Sequence, residues 1–145
     1  MSRKCEPEIN QLIKMDSFDL FTGLPIAWRN YEKGFFSNGG VPPEINDSRV
    51  KFHVGYVEEE IQVLDLDKLG NTKKIILFDL DLHDPTLFCY NYLKQSFIPG
   101  DILYFDEAFD EAEFSIIKEK VCLEFVVKSI GHTGLAIAME VISLR

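Results

Sequence analysis

"KKIILFDLDLHDPT", residues 73–86, carries the clearest structural signal in this chain. Its apolar run, Ile75–Phe78 with Leu80, is uninterrupted rather than alternating, which is typical of a strand buried on both faces of a parallel sheet. Asp84-Pro85 then predicts the start of a helix, with Asp as the N-cap and Pro at the first helical position. Pro99-Gly100 ends that helix. The stretch therefore predicts a strand followed by a helix.

A second apolar run, DILYFDEAFD at 101–110, turns this pattern into a strand–helix–strand unit. A further helix is expected at 109–120, and residues 22–49 are expected to form a loop. Two C-terminal apolar runs predict an antiparallel hairpin around a turn at Gly131–Gly134. Strands are expected at 50–54, 75–81, 102–106, 122–128 and 135–142. The predicted class is α/β, an open and mostly parallel sheet in one domain over residues 1–145.

Composition and charge exclude several classes of function. Apolar residues make up 46% of the chain and charged residues 27%, as in an ordinary globular protein. The net charge of −9 argues against a nucleic-acid partner, whose phosphates attract a basic surface. No apolar run approaches the ~20 residues of a membrane span, and the N-terminal residues lack the apolar core of a signal peptide. The three widely spaced cysteines suggest no disulfide framework, so a cytoplasmic location is expected.

Acidic residues follow both central strands at the point where each strand ends. Asp79 follows the first apolar run, and Asp106 and Glu107 follow the second. Neighbouring parallel strands lie about 4.8 Å apart and end at the same edge of a sheet, so these carboxylates are expected to converge. Converging carboxylates attract a hard cation such as Mg²⁺ or Ca²⁺. The alternative is that these acids merely end strands and cap helices.

Two further interpretations concern the chemistry at Asp79. IILFDLD resembles the nucleophile strand of haloacid-dehalogenase-type phosphatases, but Leu82-His83 stands where those enzymes have Gly-Thr. His83 is a candidate general base, because its ordinary pKa lies near neutrality. The alternative for His83 is a surface or hydrogen-bonded residue without a catalytic role.

Five motifs in order resemble the macrocin O-methyltransferase-like branch of the class I S-adenosylmethionine-dependent methyltransferases. They are SFDLFTGLPIAW (17–28), GFFSNGGVP (34–42), VKFHVGYVEEEI (50–61), FDLDLHDPT (78–86) and PGDILYFDE (99–107). The resemblance implies a Rossmann-like open sheet. It also implies methyl transfer to a hydroxyl of a sugar or small natural product, which would be the acceptor.

The resemblance implies roles for individual residues. It implies a catalytic role for Asp79, with His83 at a position where the family usually has Tyr. It implies Mg²⁺ binding by three residues: Asp79, Asp106 and Glu107. It implies that S-adenosylmethionine contacts Asp19 through its ribose and lies with its adenine near Tyr56, Val57 and Glu58.

The N-terminal residues depart from the family pattern. The family has a first strand and a Gly-rich turn before the first motif, whereas MSRKCEPEINQLIKMD (1–16) contains no Gly. We therefore expect a partial domain that lacks this strand and turn, binds the cofactor weakly if at all, and is inactive alone. A complementing N-terminal fragment or a homo-oligomer would be its partner. The alternative function is a non-catalytic binding or dimerisation module derived from the same fold.

Overall fold

The computed structural model of the protein describes residues 13–145. The prediction that the N-terminal residues lack a first strand and a Gly-rich turn falls mostly on residues 1–12, which lie outside this range. The chain divides into two compact units, one ending at Ile61 and the other running from Gln62 to Arg145. Each unit has its own sheet, and the prediction of a single domain over 1–145 stays a prediction.

The first unit contains a pair of parallel strands joined by a long loop. Strands β1 (Met15–Asp19) and β2 (Val50–Val54) pair so that Asp19 lies opposite Val54. Residues 20–49 contain neither a helix nor a named strand, as the predicted loop requires. A short helix, α1 (Val57–Glu60), follows β2 and runs into a 3₁₀ turn at Ile61–Val63. The residues expected to bind the cofactor therefore lie where these strands end: Asp19 ends β1, and Tyr56 to Glu58 follow β2.

Backbone hydrogen bonds hold the loop of the first unit in a defined course. The amide of Leu24 donates to the carbonyl of Phe35 at 2.9 Å, and the amide of Gly34 donates to the carbonyl of Leu24 at 2.8 Å. Gly23 has φ +79°, and a Cβ added there would lie 2.2 Å from the carbonyl oxygen of Phe35. Only glycine is compatible with both the backbone conformation and this close approach.

The second unit is a four-stranded sheet with helices in its connections. Its strands lie in the order β3-β4-β6-β5, with β3 parallel to β4 and the remaining pairs antiparallel. The adjacent parallel pair and the antiparallel hairpin confirm the predicted α/β class. No helix within residues 13–145 is long and apolar enough to cross a membrane. The elements are α2 (Leu66–Leu69), β3 (Ile75–Phe78), α3 (His83–Leu93) with a 3₁₀ turn at Lys94–Ser96, β4 (Ile102–Phe105), α4 (Glu111–Ile116) with a π-helical turn at Ile117–Val121, α5 (Cys122–Glu124), β5 (Phe125–Thr133) and β6 (Ala136–Leu144).

Two local predictions were wrong at the ends of elements. Helix α3 begins at His83 with Leu82 as its N-cap, so Asp84 lies inside the first turn and does not cap it. Thr86 Oγ1 donates to the carbonyl of Leu82 at 2.7 Å, which ties the first turn together without an acidic cap. The hairpin turn is Gly134-Leu135 rather than residues 131–134, because β5 continues to Thr133. A two-residue turn with glycine first and a positive φ, here 54°, is typical of the II′ class.

The prediction that β3 is buried on both faces was also wrong. Phe78 is 1% exposed and stacks on Phe105 at 4.6 Å between ring centroids, so one face of the sheet carries the core. Ile75 and Leu77, which point to the other face, are 65% and 66% exposed. An uninterrupted apolar run cannot reveal which of its two faces is covered, because cover depends on elements elsewhere in the chain.

A buried ion pair aligns the beginnings of β3 and β4. Asp101 is fully buried, and its carboxylate accepts hydrogen bonds from the amides of Lys74 at 3.1 Å and Ile98 at 2.8 Å. Lys74 Nζ lies 2.5 Å from Asp101 Oδ2 and also donates to the carbonyl of Ser96 at 2.6 Å. Because every partner is satisfied, this pair fixes the register that brings the ends of β3 and β4 together.

Candidate functional site

Three predicted site residues lie at one end of the four-stranded sheet. Asp79 follows β3, and Asp106 and Glu107 follow β4. The amide of Asp106 donates to the carbonyl of Phe78 at 3.2 Å, which continues the parallel ladder and sets Asp106 beside Asp79. Asp79 is exposed, and Asp106 and Glu107 are half-buried. The expected convergence at a sheet edge is therefore present.

A fourth acidic residue, Glu113 of α4, belongs to this group and was not identified from the sequence. Its side chain is 1% exposed, and its Oε2 accepts a hydrogen bond from the amide of Glu107 at 3.0 Å. Its Oε1 is buried and has no hydrogen-bond partner. The sequence signal that could have found it is helical spacing, because Glu113 precedes the buried Ile116 and Ile117 by three and four residues.

The electrostatic potential at this sheet end is negative. The pKa of Glu113 is raised from 4.5 to about 7 by burial and by the carboxylates of Asp79, Glu107 and Asp106, against the lowering effect of the hydrogen bond from the Glu107 amide. Tyr104 donates its hydroxyl to Asp106 Oδ1 at 3.0 Å, and this bond raises the pKa of Tyr104, as do burial and the nearby acids. The nearby carboxylates thus contribute to the raised pKa of both Glu113 and Tyr104.

The predicted Mg²⁺ site finds no support in this geometry. Among residues 13–145, no group of three or more His, Cys, Asp or Glu side chains is arranged to hold a metal ion. One oxygen of Asp106 is engaged by Tyr104, and one oxygen of Glu113 is engaged by the Glu107 amide. The carboxylates of Asp79, Asp106 and Glu107 therefore do not form the coordination shell that Mg²⁺ requires.

His83 lies in the first turn of α3, close in sequence to Asp79. Its Nδ1 is 2.9 Å from Asp84 Oδ1, and its side chain is 44% exposed. The neighbouring carboxylate thereby orients the ring at the start of the helix. A catalytic role for His83 stays a prediction.

The predicted cofactor residues lie together at the end of the parallel pair in the first unit. Asp19 ends β1, and its Oδ1 accepts a hydrogen bond from the amide of Phe21 at 2.7 Å. The carbonyl of Asp19 accepts from the amide of Gly55 at 3.1 Å, which holds the end of β2 beside it. Tyr56 then caps α1 with its ring 53% exposed, and Val57 and Glu58 form the first turn.

This arrangement fits the ribose and adenine ends of S-adenosylmethionine. A carboxylate after one parallel strand can accept hydrogen bonds from ribose hydroxyls. An exposed aromatic ring after the neighbouring strand can pack against a purine. The first glycine of the sequence is Gly23, so residues 1–18 contain none.

The fold resembles the crystal structure of the calicheamicin methyltransferase CalS11, with a TM-score of 0.66. The chain has a methyltransferase fold. The matched region covers 88% of this chain at 19% sequence identity. It covers 60% of CalS11, so this chain spans less than two thirds of that protein's length.

The sequence itself matches no family model and no curated protein. The similarity to CalS11 confirms the predicted fold class, an open α/β sheet that is mostly parallel with antiparallel C-terminal strands. At 19% identity it shows the fold alone. Membership of the macrocin O-methyltransferase-like branch stays a prediction.

Proposed function

We propose that the chain is an S-adenosylmethionine-dependent O-methyltransferase-like domain whose acceptor is a hydroxyl of a sugar or small natural product. The observation that carries this proposal is the position of Asp19 and Tyr56 at one end of a parallel strand pair in a methyltransferase fold. Ligands of open α/β sheets bind at this end of the strands. The five sequence motifs support the same conclusion.

Different residues of the chain would bind the cofactor and accept the proton in such a reaction. Asp19 would accept hydrogen bonds from the ribose hydroxyls, and Tyr56 with Val57 and Glu58 would border the adenine. S-adenosylmethionine, when bound, supplies a methyl group attached to a positively charged sulfur. The Asp79 carboxylate would accept the proton of the acceptor hydroxyl, with His83 as the second candidate for this general base.

We expect the isolated chain to bind S-adenosyl compounds weakly and to transfer no methyl group alone. A Gly-rich turn contributes several hydrogen bonds from backbone that approaches the ligand closely, and residues 1–18 contain no glycine. Each lost hydrogen bond weakens binding by about 1 kcal/mol, and about 1.4 kcal/mol is tenfold in affinity.

Titration of the chain with S-adenosylhomocysteine tests the cofactor site. We expect weak saturable binding, followed by calorimetry or by NMR at millimolar ligand, and about tenfold weaker binding by Asp19→Asn. Asparagine keeps the Oδ1 that accepts from Phe21, so the turn after β1 should survive. Identical affinities for wild type and Asp19→Asn would remove Asp19 from the site. Micromolar binding by the wild type would show that other residues replace the Gly-rich turn.

The second candidate function is a non-catalytic binding or dimerisation module. The observation that favours it is the exposed apolar face of β3, where Ile75 and Leu77 are 65% and 66% exposed. A module of this kind would show no saturable binding of S-adenosylhomocysteine. It would also associate in sedimentation velocity, and Leu77→Asp would abolish the association.

A further inference from the structure

One buried oxygen atom in the second unit has no hydrogen-bond partner. Glu113 is 1% exposed, and its Oε2 accepts from the Glu107 amide at 3.0 Å. Its Oε1 is buried and accepts no hydrogen bond. A buried polar atom without a partner is costly, so a ligand that donates a hydrogen bond to Oε1 would gain a favourable interaction there.

Three other carboxylates lie near enough to Glu113 to affect its pKa, and all three are more exposed than Glu113. Asp79 is exposed, Asp106 and Glu107 are half-buried, and Glu113 is buried, so burial increases from the first to the last. We call these four residues the acidic path. The pKa of Glu113 is raised by burial and also by the carboxylates of the other three, which indicates a negative potential along the path. That potential favours a cation over a neutral donor.

We infer that the acidic path binds an organic ammonium group, the protonated amine of a small molecule. A metal ion requires several oxygens at fixed short distances, and residues 13–145 contain no group of three arranged in that way. An ammonium group instead offers separate N–H donors and accepts looser spacing. One donor would reach Glu113 Oε1, and the others would face Asp79 and Asp106. Under the proposed function the amine belongs to the acceptor, and this assignment alone rests on that function.

A matched pair of small probes tests the inference on the whole chain. At about pH 8 Glu113 is mainly ionised and ethanolamine still carries a protonated amine, whereas N-acetylethanolamine has the same skeleton without the charge. In an NMR titration we expect ethanolamine to shift the amide signals of Glu107 and Glu113 saturably, and the acetylated probe to leave them unchanged. Equal shifts with both probes, or no saturable shift with ethanolamine, would overturn the inference.

Two variants of the same helix separate the site from general charge attraction. Glu113→Gln keeps an oxygen that can accept from the Glu107 amide but removes the charge at the end of the path. We expect it to weaken ethanolamine binding about tenfold, the loss of one charge-assisted hydrogen bond. Glu111→Gln removes the same charge from an exposed position of α4 and should leave binding unchanged.

Equal weakening by the two variants would show attraction to net charge only and would overturn the inference. The titration contains no S-adenosyl compound. If the Asp19→Asn experiment shows no cofactor site, the result of the ethanolamine titration is unaffected. The proposed function and the ammonium site can therefore be contradicted independently.

Discussion

Two buried acids of the second unit differ in how their charge is compensated. Asp101 has a lysine ammonium and two backbone amides around its carboxylate. Glu113 has one backbone amide and three neighbouring carboxylates that raise its pKa. A buried charge with full compensation aligns strands, whereas a buried charge among like charges makes the native state less stable when it ionises.

Glu113→Gln should therefore stabilise the protein at alkaline pH. The pKa of Glu113 is about 7 in the native chain and 4.5 ordinarily, so between these values the unfolded chain releases the proton while the native chain keeps it. Native stability thus falls as pH rises from 4.5 to 7, and the loss is complete above that range. We expect the variant to exceed wild type by about 1–2 kcal/mol at alkaline pH, allowing for solvent screening, and to match it in acid.

Urea denaturation at about pH 5 and about pH 8 measures this difference. Glu111→Gln is the control, because Glu111 lies in the same helix and its side chain is exposed. A stabilisation of Glu113→Gln that is equal at both pH values would show a packing effect and would exclude the titration of Glu113 as its cause.

At the scale of a single element, β3 carries side chains with opposite environments at adjacent positions. Phe78 packs on Phe105 within the core, and Leu77 lies on the exposed face. Removal of a buried aromatic side chain loses its transfer free energy and leaves a cavity, whereas an exposed side chain loses little.

Phe78→Ala should cost about 3–5 kcal/mol of unfolding free energy. Leu77→Ala should change it by no more than about 0.5 kcal/mol, because the side chain is already largely in water. Chemical denaturation of both variants gives their free energies of unfolding, so a buried and an exposed position of the same strand can be compared. A large destabilisation by Leu77→Ala would show that this face is covered in solution, as in a homo-oligomer, and sedimentation velocity would then identify the assembly.

At the scale of the whole molecule, the formal net charge of −9 opposes the compact state. Carboxylates repel one another through solvent, and salt screens this repulsion over a Debye length that shortens from ~30 Å at 0.01 M to ~8 Å at 0.15 M. The acidic path concentrates part of this charge at one sheet end.

We therefore expect the thermal unfolding temperature at neutral pH to rise by a few degrees when sodium chloride increases over that range. Near the isoelectric point of about 4.8 the net charge vanishes, and the same salt increase should have little effect. An equal rise of the unfolding temperature at both pH values would show that the salt acts through its exclusion from the protein surface and not by screening charge repulsion.

Local pattern was sufficient to predict strands β2 to β6 and helices α3 and α4, but it did not predict β1, α1 or α2. The apolar runs at Ile75–Phe78 and Ile102–Phe105, with one helix between them, predicted adjacent parallel strands, and the structure pairs them residue by residue. Because parallel strands end at the same edge, the convergence of Asp79, Asp106 and Glu107 followed from the same pattern. The fold class and the position of the acids at the ends of the strands thus follow from local pattern.

The tertiary structure alone decided which surfaces are covered and which charges are compensated. Whether Ile75 and Leu77 are buried depends on what packs over their face, which no pattern within β3 encodes. The burial and raised pKa of Glu113 depend on groups 6 to 34 positions away in sequence. A coordination shell requires oxygens placed to fractions of an ångström, so acids correctly assigned to one edge still form no metal site among the described residues. Segment identity is local, whereas solvent exclusion and electrostatic environment are properties of the packed chain.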